Sequence, residues 1–165
     1  MAVLASLDEP GAFVSTIEFE APDKPYSFQT IERLKSIYGP ETNLFFIIGA
    51  DSFEDINTWR EPERLLRSAN IVVITRPGHE LEASHLPAGI ASSIIDMRGR
   101  AGGEAKSIDQ LSGGSETCHV YLTDSVNKDI SSTEIRQRVR DGKPIDEVVP
   151  SRVADYIEKY ELYRR

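Results

Sequence analysis

Ser131, Ser132 and Thr133 stand together at the head of a helical pattern, in "KDISSTEIRQRVRDG", with Glu134 and Arg136 close behind. Two kinds of chemistry fit that spacing. Ser131 and Glu134 match the S-x-x-E capping box, where a hydroxyl accepts from the third helical N–H and the carboxylate reaches back. One cap needs one hydroxyl, and this stretch supplies a surplus. Extra hydroxyls, free N–H groups and the positive end of a helix dipole also suit an oxyanion. Arg136 is placed to add bidentate bonds to phosphate oxygens. Locally, capping and phosphate binding both stay open.

Other residues carry the same double reading. Gly49, in "FFIIGADSFED", has no Cβ and lets a ligand approach the backbone. Asp51, two residues on, suits ribose hydroxyls or the cap of the next helix. Trp59 is the only tryptophan and sits in polar "NTWREP". It suits the core or stacking on a planar ligand, and Arg60 beside it suits a carboxylate or phosphate. Ser27, with Tyr26 before it in "PYSFQT", stands at a helix start, to cap it or to receive a small carboxylate. Arg76 in "TRPG" is either a solvated turn residue or part of a binding rim. His79, His85 and His119 show no metal-ligand spacing, so they make no metal site. His119 reads as structural within a strand.

The elements that must position these residues alternate. "AFVSTIEFE", from Ala12 to Glu20, partly alternates and is expected as a strand. Phe28, Ile31, Leu34 and Tyr38 recur at helical spacing over Tyr26–Tyr38, and Gly39-Pro40 stops that helix. "NLFFII" and "IVVIT" are continuous apolar runs of strand length, which implies burial on both faces. Between them "PERLLRSAN" reads as a helix with Pro62 near its first position. "SSIID" and "CHVYL" are further short strands. The Gly- and Ser-rich residues 97–116 are expected to form a mobile loop. The Ser131 helix follows, with Ile135 and Val139 on one face, and then a last amphipathic helix with Val153, Ile157 and Tyr160 on one side. Alternation of this kind means an α/β fold with a mostly parallel sheet. Ligands then bind beyond the carboxyl ends of the strands. That rule selects the loops "GADS", "RPG" and "TDSVNKDISST".

The whole chain sets limits. Its 165 residues, with no internal repeat, fit a single domain with a real core. With 27 acidic against 19 basic side chains, the formal charge of -8 speaks against a nucleic-acid partner. The longest apolar run, "LFFIIGA", is far below the ~20 residues that span a bilayer, so no membrane is expected. Cys118 is the only cysteine and can form no internal disulfide. That fits a reducing compartment, and a cytoplasmic location is expected.

Taken in order, "PYSFQTIERL", "FFIIGADSFEDINTW", "VVITRPG", "ISSTEIR" and "VADYIEKYELY" resemble the bacterial nicotinate-nucleotide adenylyltransferases. "ISSTEIR" alone is shared with other adenylyltransferases, the phosphopantetheine type included. Joined to "GAD", Trp59 and "RPG", it is fairly specific for the nicotinate branch. The resemblance implies a Rossmann-like parallel sheet of the nucleotidyltransferase type. It implies attack by the phosphate of nicotinate mononucleotide on the α-phosphorus of ATP, assisted by Mg²⁺, giving nicotinate adenine dinucleotide and pyrophosphate. Under it, Gly49 and Asp51 contact the nucleotide, with Asp51 on ribose. Ser131, Ser132, Thr133 and Arg136 hold the ATP phosphates. Trp59 stacks on the pyridine ring, Ser27 and Tyr26 lie near its carboxylate, and Arg76 lines the nucleotide side.

The family pattern opens with a strand ending in G-x-F-D-P-x-H-x-G-H, and no H-x-G-H occurs in this chain. The resemblance places Met1 within the family's chain, before its third strand. The sheet is therefore expected without its first strands, with open edges that favour self-association. The 165-residue chain alone is expected not to turn over nicotinate mononucleotide at a useful rate. Two other functions stay open: a non-catalytic nucleotide-binding remnant, and an adenylyltransferase acting on another phosphate substrate such as phosphopantetheine.

Overall fold

The computed structural model describes residues 1–75, 86, 90–99, 118–124 and 130–164. Arg76 and the rest of the "RPG" turn, most of the 97–116 segment and residues 125–129 lie outside these. The chain divides into two compact units, Ala21–Lys128 and the pairing of Met1–Glu20 with Asp129–Arg165.

The larger unit is built on a sheet of four parallel strands: β1 (Phe45–Gly49), β2 (Asn70–Ile74), β3 (Ile94–Asp96) and β4 (Val120–Thr123). Their order is β1-β2-β4-β3. The α/β parallel architecture implied by the alternating pattern is therefore what forms. Register puts Gly49 beside Ile74 and Ile74 beside Thr123, with Asp96 beside Leu122. The carboxyl ends of all four strands share one rim. Central strands are buried as their apolar runs imply: Ile71 and Val73 are 0% exposed, and Val120 and Tyr121 are 1% exposed.

β1 corrects an expectation. Its run is apolar throughout, yet only one face is covered. Phe46 packs on the core and Ile48 is buried, while Ile47 is 62% exposed. Among the described residues β1 pairs only with β2, so it is an edge strand. An unbroken apolar run does not distinguish an edge strand from a central one.

Three helices of this unit cover the core. Phe28 and Ile31 bury the first turns of α2 (Ser27–Tyr38), but Tyr38, on the same face, is 59% exposed. The end of the helix leaves the core that its first turns pack on. Gly39 ends it at φ +104, a conformation glycine adopts without strain. α3 (Ala50–Glu54) begins directly after β1, and its Phe53 is 0% exposed. A short 3-10 turn, Ile56–Thr58, buries Ile56 to 0%, and α4 (Pro62–Ser68) starts on its proline and buries Leu65 and Leu66. Burying each such side chain contributes about 1.5–3 kcal/mol.

The smaller unit is helical: α1 (Ala2–Ser6), α5 (Ser132–Arg140) and α6 (Ser151–Lys159). Ile145, Val153, Ala154 and Ile157 form its core, with Leu4, Ile135 and Val139 packed against them. Tyr160 lies past the end of α6 and is 54% exposed, so it leaves the apolar side expected of it.

Ala12–Glu20, expected as a strand, is not one. Phe13 and Phe19 are 75% and 88% exposed. The Ile17 N–H donates to Ser15 Oγ at 3.2 Å, and the Phe19 and Glu20 N–H groups turn back to the Thr16 carbonyl. The Ser15 hydroxyl and the Thr16 carbonyl offer the backbone local partners that compete with a ladder. No described strand lies alongside to outweigh them.

Candidate functional site

β1 ends at Gly49, which serves as the extended N-cap of α3, so strand passes into helix without a loop. Gly49 has φ −77, which any residue adopts, and a Cβ built on it would meet nothing within 4 Å. Nothing described in the protein requires glycine there. Asp51 does not cap α3, because Gly49 holds that position. It lies in the first turn, exposed, where a carboxylate is favoured by the helix dipole. Buried Ala50 and Phe53 on the same short helix fix where Asp51 points away from the core.

Trp59 takes up its core role. It packs against the core, edge-on to Phe46 with ring centroids 6.4 Å apart, yet stays partly exposed. Its N–H closes the preceding turn on the Ile56 carbonyl. Arg60 follows on the surface. Glu61 is left-handed, φ 53, immediately before Pro62. Such a residue usually sits extended, so the step out of the Trp59 segment is a constrained one.

Ser27 is not the cap of α2. Tyr26 occupies that position, and Gln29 accepts from its N–H at 2.9 Å. Ser27 is the first helical residue, half-buried, with exposed Tyr26 beside it. On the rim, the N–H and hydroxyl of buried Thr75 both donate to the Thr123 carbonyl, at 2.8 and 3.2 Å. Arg76, the next residue, lies outside the described residues.

At α5, in the other unit, the capping reading of the serine cluster holds. Ser131 caps the helix, its Oγ accepting from the Glu134 N–H at 3.1 Å. Glu134 bonds Arg138 at 2.9 and 3.0 Å, as an i,i+4 pair. Arg136 donates to Thr133 Oγ1 at 3.2 Å, which draws its guanidinium toward the helix start. A hydroxyl that accepts can still donate. Among the described residues, none of the three hydroxyls donates a hydrogen bond. A groove of about 580 Å³, lined in part by Val139, Lys143, Ile145 and Ile157, lies at the far end of the same helix and includes none of these residues.

Sequence reasoning missed the Glu32–Arg64 pair, which joins residues 32 positions apart and leaves no local signature. It missed the Asn43–Asn70–His119 chain of hydrogen bonds for the same reason. Gln29 was visible in principle: a residue with an acceptor three positions past a helix start is half of a capping box.

Comparison with known proteins converges on one family. Residues 10–138 match the cytidylyltransferase-like family. A probable nicotinate-nucleotide adenylyltransferase of Thermoanaerobacter sp. is 37% identical, over 100% of this chain and 68% of its own length. The chain belongs to the nicotinate-nucleotide adenylyltransferase family. A second member, from Citrifermentans bemidjiense, is 39% identical over 99% of this chain and 72% of its own length. In fold, the chain is similar to the Plasmodium falciparum nicotinic acid mononucleotide adenylyltransferase complexed with APC. That match has a TM-score of 0.57 and 20% identity, over 92% of this chain and 64% of that one. The same Plasmodium enzyme complexed with NaAD gives a TM-score of 0.53.

Proposed function

We propose that this protein transfers an adenylyl group from ATP to nicotinate mononucleotide, releasing pyrophosphate, as a step in making nicotinate adenine dinucleotide. The observation that carries this reading is the start of α5. Three hydroxyls and Arg136 stand at the capped N-terminus of a nine-residue helix, and among the described residues none of the hydroxyls donates a hydrogen bond. Ser131, Ser132, Thr133 and Arg136 would hold the ATP phosphates there. Gly49 and Asp51 would meet the nucleotide, with Asp51 on ribose, and Arg76 would line the nucleotide side. The open space at the Gly49 Cα supports that part, since packing gives no other reason for glycine. Trp59 would stack on the pyridine ring with the face it does not bury. Arg60, Tyr26 and Ser27 would meet the carboxylate and phosphate of the mononucleotide.

The chemistry asked of these residues is positioning and charge stabilisation. Catalysis of phosphoryl-type transfer rests on in-line alignment and on donors aimed at oxygens that gain charge. In this reading Mg²⁺ would enter with the ATP substrate. No described helix is long and apolar enough to cross a membrane.

Pyrophosphate release from ATP tests the proposal, measured on the 165-residue chain and on a version extended upstream along its reading frame. From the extended version, release that depends on nicotinate mononucleotide is expected, and from the 165-residue chain alone none at a useful rate. Release with phosphopantetheine instead would replace the substrate, and ATP binding without release by either form would leave a binding module. In the active form, Arg136→Ala is expected to lower the rate by about 10²–10³ with little change in melting temperature.

A further inference from the structure

Arg64 joins two of the segments assigned to the pyridine side without belonging to either. It extends from α4 across to α2, where Nε and Nη2 grip Glu32 Oε1 and Oε2 at 2.6 and 2.9 Å. Its guanidinium carbon lies 4.7 Å from the centroid of the Phe28 ring. Phe28 is 7% exposed and lies parallel to Tyr26, 7° between planes and 6.3 Å between centroids. A fork-on-fork pair fixes orientation as well as distance, and a cation over a ring adds attraction from the same group. On the other side, the Arg64 N–H donates to the carbonyl of left-handed Glu61 at 3.1 Å. Pro62 locks the next φ. Few soft torsions separate Arg64 from Trp59.

We propose that Arg64 is a positioning residue for the pyridine mononucleotide, holding the Tyr26–Ser27 helix start at a fixed separation from the Trp59–Arg60 segment. The inference rests on the substrate reading above. Arg64 acts through Phe28 and Glu32 and touches no ligand. Both members of the pair are largely exposed, at 51% and 39%, so their effect on overall stability is small. Geometry is more sensitive than stability here, because a displacement of about 1 Å in a site can cost about 10²-fold.

The test uses Trp59, the only tryptophan, as a fluorescent reporter in the full chain. Nicotinate mononucleotide and ATP are titrated separately into the unmodified protein, Arg64→Ala and Arg64→Lys. Hydrogen exchange is read at the Gln29 and Thr30 amides, which bond the Tyr26 carbonyl. For Arg64→Ala, nicotinate mononucleotide is expected to bind about tenfold more weakly or worse, with ATP affinity held within about twofold. Exchange at Gln29 and Thr30 should quicken while the melting temperature holds. Arg64→Lys should fall between, since it keeps the charge over Phe28 and loses the fork. Unchanged exchange in Arg64→Ala overturns the proposal, and so does equal weakening of both ligands with a lower melting temperature. If the unmodified chain binds no nicotinate mononucleotide, the substrate reading falls, and exchange alone decides whether Arg64 sets the helix start.

Discussion

The two groups of residues proposed to bind substrate are held by different physics. Gly49 and Asp51 take their places from a parallel register and a dry core: neighbouring strands fix the rim, and Phe53 anchors the helix that carries Asp51. The Ser131–Arg136 group takes its place from bonds within a single helix. Ser131 bonds Glu134, Arg136 bonds Thr133, Glu134 bonds Arg138, and no residue of α5 is fully buried. The sheet region spends long-range contacts on precision. The helix region is assembled by neighbours in sequence, and its hydroxyls stay available.

The sharpest way to break this contrast is to hollow the sheet region beneath Asp51. Phe53 is 0% exposed and one helical turn or less from Asp51. Phe53→Ala is expected to cost about 3–5 kcal/mol, read by denaturant unfolding. α5 should keep its helical exchange protection in conditions where the sheet amides lose theirs. Simultaneous loss in both units would show that the two regions are not separately held.

That division also explains what the sequence disclosed. The α5 cap was legible because its partners lie three residues apart, and Ser131 does accept from Glu134. The strands β2 and β4 were legible because central strands in a parallel sheet are buried on both faces and read as apolar runs. β1 has the same run and a different environment, since exposure of Ile47 depends on a neighbour, not on composition. "FVSTIEFE" failed for a related reason: strand propensity needs a partner edge, and Ser15 and Thr16 supplied the backbone with closer bonds. Trp59 was legible as either core or ligand face, and the structure packs it on the core while leaving it partly exposed. Arg64 was invisible, because only the folded sheet brings α4 against α2.

A milder break acts on the helix region. Ser131→Ala removes the one hydroxyl that caps α5. The expected cost is about 1 kcal/mol, far below the Phe53 substitution, with the loss confined to exchange at the first turn of α5. Ser131→Asn, another good cap, should restore the helix. If it also restores ATP affinity, Ser131 serves the site only by holding the helix. If the helix returns and ATP affinity does not, the Ser131 hydroxyl itself meets phosphate.

The smallest expected effect separates the two regions by pH. In the sheet unit, burial raises the pKa of Cys118, with Lys35 opposing weakly, and Tyr121 is raised by burial and then by the Cys118 charge. Both groups hold their protons more tightly folded than unfolded. Their contribution is therefore complete below the ordinary thiol pKa of about 8.5 and is lost as pH climbs through the folded values. In the helix unit the sign is reversed. Asp141, at the end of α5, is held below the usual carboxylate range by a hydrogen bond from Gln137 and by Lys143. Its contribution is present above about pH 4 and is lost as pH falls through the folded value. Amides in β4 should thus lose protection first on the alkaline side, and those in the last turn of α5 first on the acid side. Cys118→Ala should make the alkaline limb shallower, leaving the part that burial of Tyr121 contributes, and Gln137→Ala should weaken the acid limb alone. A variant that flattens both limbs would mean that the two regions titrate as one, and the separation drawn between them would not hold.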